Sequence, residues 1–217
     1  MMKPGHYATA SPPALGLAWG MVEFFHVNIL VAIACGVIVV RVSTWNDLDH
    51  PRFKGKMHPG AALVRGTAWV GYQWRTPRDK IREDFHRGPS HCVEWCLLAG
   101  LAVYLMALQI PWVADRAVWW GLAVFVGTFS HILADWPTPS GVPFSCIYNR
   151  LVHGEVWHRH SLHWFRTDSA GEKFIAIPIL FALTGVMALA MVGMLDDVVR
   201  LLTGLGGGGG GGASAAP

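Results

Sequence analysis

Five apolar runs alternate with polar stretches along the chain, at about residues 14 to 25, 27 to 42, 92 to 113, 117 to 134 and 174 to 195. A helix needs roughly 20 apolar residues to cross a bilayer, and about 17 at the least. The third and fifth runs meet this comfortably and the fourth adequately, whereas the first two are short. Those two read either as a tight helical hairpin or as one crossing preceded by an interfacial piece. The pattern therefore predicts an all-α fold, a polytopic membrane bundle of four to five apolar helices. Residues 1–202 form the membrane-embedded domain. The unbroken glycine run from Gly206 to Gly212, followed by Ala-Ser-Ala-Ala-Pro, makes 203–217 a flexible tail with nothing to bury.

Charge adds a direction to this pattern. Only 14% of the 217 residues are charged and 53% are hydrophobic, against about a quarter charged in a soluble domain. The stretch from 43 to 91 holds nine basic residues: Arg52, Lys54, Lys56, Arg65, Arg75, Arg78, Lys80, Arg82 and Arg87. The excess of Lys and Arg in cytoplasmic loops places this stretch inside. The second polar stretch, 135 to 173, carries Arg150, Arg159, Arg166 and Lys173, and falls on the same side after two more crossings. The N-terminal residues, with Pro12 and Pro13 in place of an apolar core, do not read as a cleaved secretory signal. A formal charge of +3 is too small and too loop-bound to suggest nucleic acid. Cys35, Cys92, Cys96 and Cys146 include no CxxC pair and read as small buried apolar residues rather than a disulfide framework.

Three clusters at the ends of the apolar runs carry chemistry. Asp47-Leu48-Asp49-His50-Pro51 follows the second run and offers hard oxygen and borderline nitrogen ligands at one point; an Asp-rich turn is also an ordinary helix terminator. His86-Arg87-Gly88-Pro89-Ser90-His91 precedes the third run. Its Gly-Pro turn lets two imidazoles converge, Ser90 suits a helix N-terminus, and Arg87 brings a guanidinium suited to a phosphate or carboxylate oxygen. The alternative for this stretch is a basic patch on lipid headgroups. His131 and Asp135 stand four apart at the end of the fourth run, on one helix face. Either both bind one metal, or Asp135 orients the His131 ring. Loop charge places all three clusters on one membrane face. His6 joins them only if the first two runs form a hairpin.

Gly5-His6, DLDHP, HRGPSH, SHILAD followed by TPSGVP, and Gly171-Glu172 resemble, in order, the YdjM-like family of membrane-bound metal-dependent hydrolases, from about Gly5 to Phe174. The resemblance implies a bacterial inner-membrane protein, with a ligand arrangement similar to the all-helical zinc phospholipase C and P1 nuclease group. It implies metal roles for His6, Asp47, Asp49, His50, His86, His91, His131 and Asp135, and an undefined role for Glu172. The chain reads HRGPSHC where the family commonly reads HRGxTHS, keeping one hydroxyl and replacing the other with a thiol. Glu94 is an added charge one turn after His91, read as an extra ligand or a local ion-pair partner.

Eight His and Asp candidates exceed one tetrahedral zinc, so one or two divalent ions, zinc first and manganese second, are expected. The expected reaction is hydrolysis of a phosphoester or phospholipid headgroup by metal-activated water, with Asp49 as proton acceptor and Arg87 stabilising phosphoryl charge. The rival reading is a non-catalytic, metal-stabilised membrane protein. A PAP2-type lipid phosphatase lacks its upstream Ser-Arg pair here. A metal transporter would place ionisable groups at mid-membrane. The loop holding His153, His158, His160 and His163 with Trp157 and Trp164 invites a second metal site, but reads first as a headgroup-zone loop, and it contains no HExxH.

Overall fold

The computed structural model describes residues 3–49 and 87–193. Six α-helices account for most of them: α1 (Lys3–Glu23), α2 (Ile29–Val42), α3 (Val93–Leu108), α4 (Ala117–Asp135), α5 (Cys146–His153) and α6 (Ile177–Met191). Short 3₁₀ turns at Asn46–Asp49, Pro89–His91 and Ala114–Arg116 join them. Among the described residues there is no strand, only isolated bridges pairing Cys92 with Phe144 and Val142 with His160. Three stretches are long and apolar enough to cross a membrane: Ile29–Leu48, Ala114–Asp135 and Glu172–Met191. The third apolar run forms a shorter helix than its hydropathy predicts. α3 ends at Leu108, because Pro111 lies three residues on and cannot continue a helix.

The first two runs form a hairpin. α1 runs unbroken through Pro12 and Pro13, a placement that would cost an isolated helix several kcal/mol at roughly 3 per proline. Packing against α2, α4 and α6 sustains it. Its buried residues include the small Ala8, Ala10 and Ala14 as well as His6 and Met21, and the backbone of α2 approaches at Gly36, where an added Cβ would lie 3.4 Å from the Ala14 carbonyl. Asn28 caps α2 by accepting the Leu30 N–H at 2.8 Å.

α4 is the central helix, packed on α1, α2 and α3. Close approach again depends on glycine: a Cβ on Gly127 would meet Val39 O at 2.5 Å, and one on Gly100 would meet Gly121 O at 2.8 Å. Small residues at helix crossings are the membrane solution to packing, because lipid supplies little hydrophobic drive between helices. α6 buries none of its residues, and Phe174, Ile175 and Ile179 are widely exposed. Such an all-apolar outer face suits lipid.

Alternation of helix direction sets the site. α1 begins, α2 ends, α3 begins and α4 ends at one end of the bundle, which brings His6, the Asn46–Asp49 turn, His91 and the His131–Asp135 pair together.

One expectation is corrected here. Cys92 and Cys146 are paired as a disulfide, with Cα atoms 6.1 Å apart, while Cys35 and Cys96 are free and buried. The sequence separation of 54 concealed the pair, since only the return of residues 142–146 beside the start of α3 brings the sulfurs together.

Candidate metal centre

His131 lies on the last turn of α4 and is fully buried. Its Nδ1 is 2.6 Å from the Ser43 carbonyl oxygen. A carbonyl only accepts, so Nδ1 carries the proton and Nε2 keeps its lone pair. Asp135, one turn on, is also fully buried, with Oδ2 3.5 Å from His131 Nε2. The carboxylate therefore faces the same nitrogen that would bind a metal, and the orienting partner of His131 is Ser43, not Asp135.

His91 reaches the same point from the 3₁₀ turn before α3, its Nε2 3.0 Å from His131 Nε2 and 3.5 Å from Asp135 Oδ2. Ser90 does not cap α3, whose N-cap is Cys92; its hydroxyl lies 3.0 Å from His91 Nδ1 and positions the ring. His6, brought in by the hairpin, stacks on His131 with ring centroids 3.9 Å apart and planes 6° from parallel. Asp47 comes from the turn after α2, which Asn46 pins to α4 by donating to the Thr128 carbonyl at 3.2 Å.

The two carboxylates span the stacked rings. Asp47 turns Oδ2 to His6 Nε2 at 3.6 Å and Oδ1 to His131 Nε2 at 3.5 Å. Asp135 turns Oδ1 to His6 Nε2 at 3.8 Å and Oδ2 to His131. These gaps are too long for good hydrogen bonds. They match the edge of a coordination tetrahedron, about 3.4 Å for metal–ligand bonds near 2.1 Å. The donor set of His6, Asp47, His131 and Asp135 thus fits a divalent ion, all its ligand atoms lying within 4.8 Å of one another. His6, His91, His131 and Asp135 are fully buried, whereas the Asp47 side chain is 22% exposed and forms the open edge.

Arg87 stands behind Asp135. Its Nη2 donates to Asp135 Oδ1 at 3.0 Å, and its Nη1 donates to the Thr138 hydroxyl at 2.6 Å and the Gly141 carbonyl at 3.3 Å. The residue adopts a positive φ of 67°, a costly conformation for a side chain of this size. The guanidinium expected to meet a phosphoryl oxygen thus holds a carboxylate in place. Asp49 closes the 3₁₀ turn begun by Asn46; His50 and His86 lie outside the described residues.

Two further acidic residues find their roles. Glu94 caps α5: its carboxylate accepts the backbone N–H groups of Cys146 at 3.2 Å and Ile147 at 3.1 Å, and the Ser145 hydroxyl. An anion is favoured there by the unsatisfied N–H groups and dipole of a helix start. Glu172 is fully buried and accepts the Asp168 N–H at 2.7 Å, while its own N–H donates to Ser169 Oγ at 3.3 Å. The pair is a capping box reaching one residue further back than usual, at the foot of the helix that continues through a π turn into α6.

In the His/Trp-rich loop, His153, His158 and His160 form a second grouping with a ring nitrogen of each within 4.8 Å of the others. Trp157 is buried, and Trp164 is 72% exposed. Burial first, then the neighbouring His158 and His153, holds the His160 imidazole below its ordinary value.

Comparison with known proteins decides the family. The family model described as YdjM inner membrane protein matches residues 1–195. The chain belongs to the YdjM inner membrane protein family. It is accordingly an inner membrane protein, and the apolar helices agree with that placement. No curated protein and no solved structure matches it. The donor residues His6, Asp47, His91, His131 and Asp135 in this YdjM family member were open to sequence reading through their motifs. The Ser43 carbonyl was not, because a backbone acceptor leaves no signature. Thr138 lay within the TPSGVP motif, whose glycine is now explained: Gly141 has φ 58°, and a Cβ there would meet His160 O at 2.4 Å.

Proposed function

We propose that the chain is a membrane-bound, metal-dependent hydrolase of phosphoesters, with a phospholipid headgroup as its preferred substrate class. The observation that carries this reading is the pair of carboxylates, each turning one oxygen to either side of two stacked imidazoles. That arrangement supports two ions. His6 with Asp47 Oδ2 and Asp135 Oδ1 would hold one, and His91 and His131 with the remaining oxygens the other. When bound, divalent ions supply Lewis-acid activation of water and of a phosphoryl oxygen.

The chain's own residues do the rest. Arg87 holds Asp135 in register, Ser43 fixes the His131 tautomer, and Asp49, two residues after Asp47 in the sequence, is proposed to take the proton from the attacking water. Substrate enters past Asp47. The expected likeness in ligand arrangement to zinc phospholipase C and P1 nuclease points to the same ester class. A cavity of about 440 Å³ lined by Thr9, Leu133, Ala134, Trp164, Ile175 and Ile179 lies next to Asp135 in sequence and favours an acyl-bearing substrate. Loop charge assigns the site to the cytoplasmic face, with α1 and α3 as crossing partners of α2 and α4.

A second reading rests on the complete burial of His6, His91, His131 and Asp135: a closed ion that staples α1, α4 and the turn before α3 without catalysis. Metal analysis of detergent-purified protein beside Asp135→Asn and His91→Ala, followed by phosphodiester and phospholipid hydrolysis with and without chelator, separates the two. Stoichiometric metal with chelator-sensitive turnover supports the hydrolase. Metal without turnover on either substrate class supports the staple, and no metal in any sample sinks both.

A further inference from the structure

His153 ends α5, and Gly154 follows it in the left-handed conformation, φ 69°. That C-terminal glycine turn sends the chain back over the helix, so that residues 155–160 pass beside its last turn. Asn149 locks the return. Fully buried, it donates from Nδ2 to the carbonyls of Pro143 at 2.7 Å, Val156 at 3.3 Å and His158 at 2.8 Å. Three carbonyl partners fix the amide orientation, so Asn149 Oδ1 is an acceptor, and His160 Nε2, 3.0 Å away, must be protonated. His160 Nδ1 then keeps a lone pair. His158 Nδ1 lies 2.7 Å from Glu155 Oε1; as a donor to that carboxylate it leaves Nε2 as the free base. His153 Nε2 is a buried atom with no hydrogen-bond partner.

Each of the three imidazoles thus keeps a spare nitrogen, a ring nitrogen of each lies within 4.8 Å of the others, and two of the rings are oriented by an outer partner. An Asn or Glu fixing the far nitrogen of a histidine is what metal-binding histidines ordinarily show. The rings are crowded as well: His153 and His158 stack at 3.9 Å, and His160 lies 5.6 Å and 5.1 Å from them. Neutral imidazoles gain little from such contact without an ion to share.

We infer that His153, His158 and His160 form a second metal site, distinct from the His/Asp centre, which takes a divalent first-row transition ion such as zinc. Three nitrogen donors leave a fourth tetrahedral position for solvent or an outside ligand. All-nitrogen donors prefer zinc, copper or nickel over magnesium or calcium. The three residues are part-exposed, where most of the first centre is buried, so the second ion exchanges more readily. The site is also tied to the first: His160 and Val142 exchange backbone hydrogen bonds at 2.9 Å and 3.0 Å, and Gly141 before them accepts from Arg87.

Equilibrium dialysis of the full chain in detergent against zinc, read by elemental analysis, tests this. His158→Ala is the main variant because its side chain is 37% exposed, and His153→Ala is the second. Each is expected to lose about one equivalent of zinc relative to wild type, while Asp135→Asn keeps the loop ion. Cobalt substitution supplies an independent readout, with the tetrahedral absorption of the loop ion lost in His158→Ala and retained in Asp135→Asn. Unchanged zinc stoichiometry and cobalt spectrum in folded, monodisperse His158→Ala and His153→Ala would overturn the assignment, whatever happens at the first centre.

Discussion

The carbonyl of Ser43 and the guanidinium of Arg87 show how far side-chain identity goes at this site. His131 and Asp135 sit four apart on a helix, and that spacing alone puts imidazole and carboxylate on one face. Their division of labour depends on what meets the other ring nitrogen, which is a backbone atom 88 residues away in sequence. Arg87 was legible as a cation beside histidines, but its partner was not. Because Arg87 holds Asp135 from outside the donor set, Arg87→Gln is expected to weaken zinc binding by about 10–100-fold without abolishing it, as measured by competition with a chromogenic chelator. An unchanged affinity would mean that Asp135 needs no such support. His6→Ala should remove about one of the two equivalents of metal assigned to the His/Asp centre and leave the other, since His91 and His131 serve the opposite oxygens of the carboxylates. Loss of both ions together, or of neither, would contradict the two-sided arrangement.

At the scale of elements, hydropathy located the helices but not their lengths or partners. The first two apolar runs were ambiguous between hairpin and single crossing because each is shorter than a bilayer span needs. The structure extends the first of them back to Lys3 through Pro12 and Pro13, and packing of α1 on three neighbours overrides the local cost of those prolines. The third run was overcounted because an apolar turn containing Pro111 looks the same as helix in composition. Glycines report the packing more directly. Gly127 faces the α2 backbone, so Gly127→Ala should destabilise the bundle by about 1–3 kcal/mol through overpacking, seen as a lower thermal midpoint in detergent. Gly185 provides the control: a Cβ there meets nothing within 4 Å, and Gly185→Ala should leave the midpoint unchanged or slightly raised. Equal effects at both positions would show that helix propensity, not the α2–α4 crossing, sets the response.

For the whole molecule, the side of the membrane is the property that binds site, loops and cysteines together. The proposed cytoplasmic placement of the site would put Cys92 and Cys146 where thiols are kept reduced. Under that proposal the pair, bonded in the structure, is expected to be held as a dithiol in the growing cell. Cells quenched in acid and labelled with a maleimide under denaturing conditions should then show both cysteines modified. Recovery of an unlabelled disulfide would instead put the site on the outer side and reverse the topology.

From the sequence alone came the all-helical membrane character, the family resemblance, and the His and Asp motifs at the ends of the apolar runs. These are properties of composition and short spacing, and both survive in a one-dimensional string. Tertiary structure decided the rest. It chose the hairpin that brings in His6, paired Cys92 with Cys146, turned Glu94 into a helix cap, and set Arg87 behind Asp135. It also gathered three of the four loop histidines while leaving His163 out of that grouping. Each of these depends on which distant backbone or side chain arrives at a given atom, and that follows from helix packing and chain reversal, which no local pattern encodes.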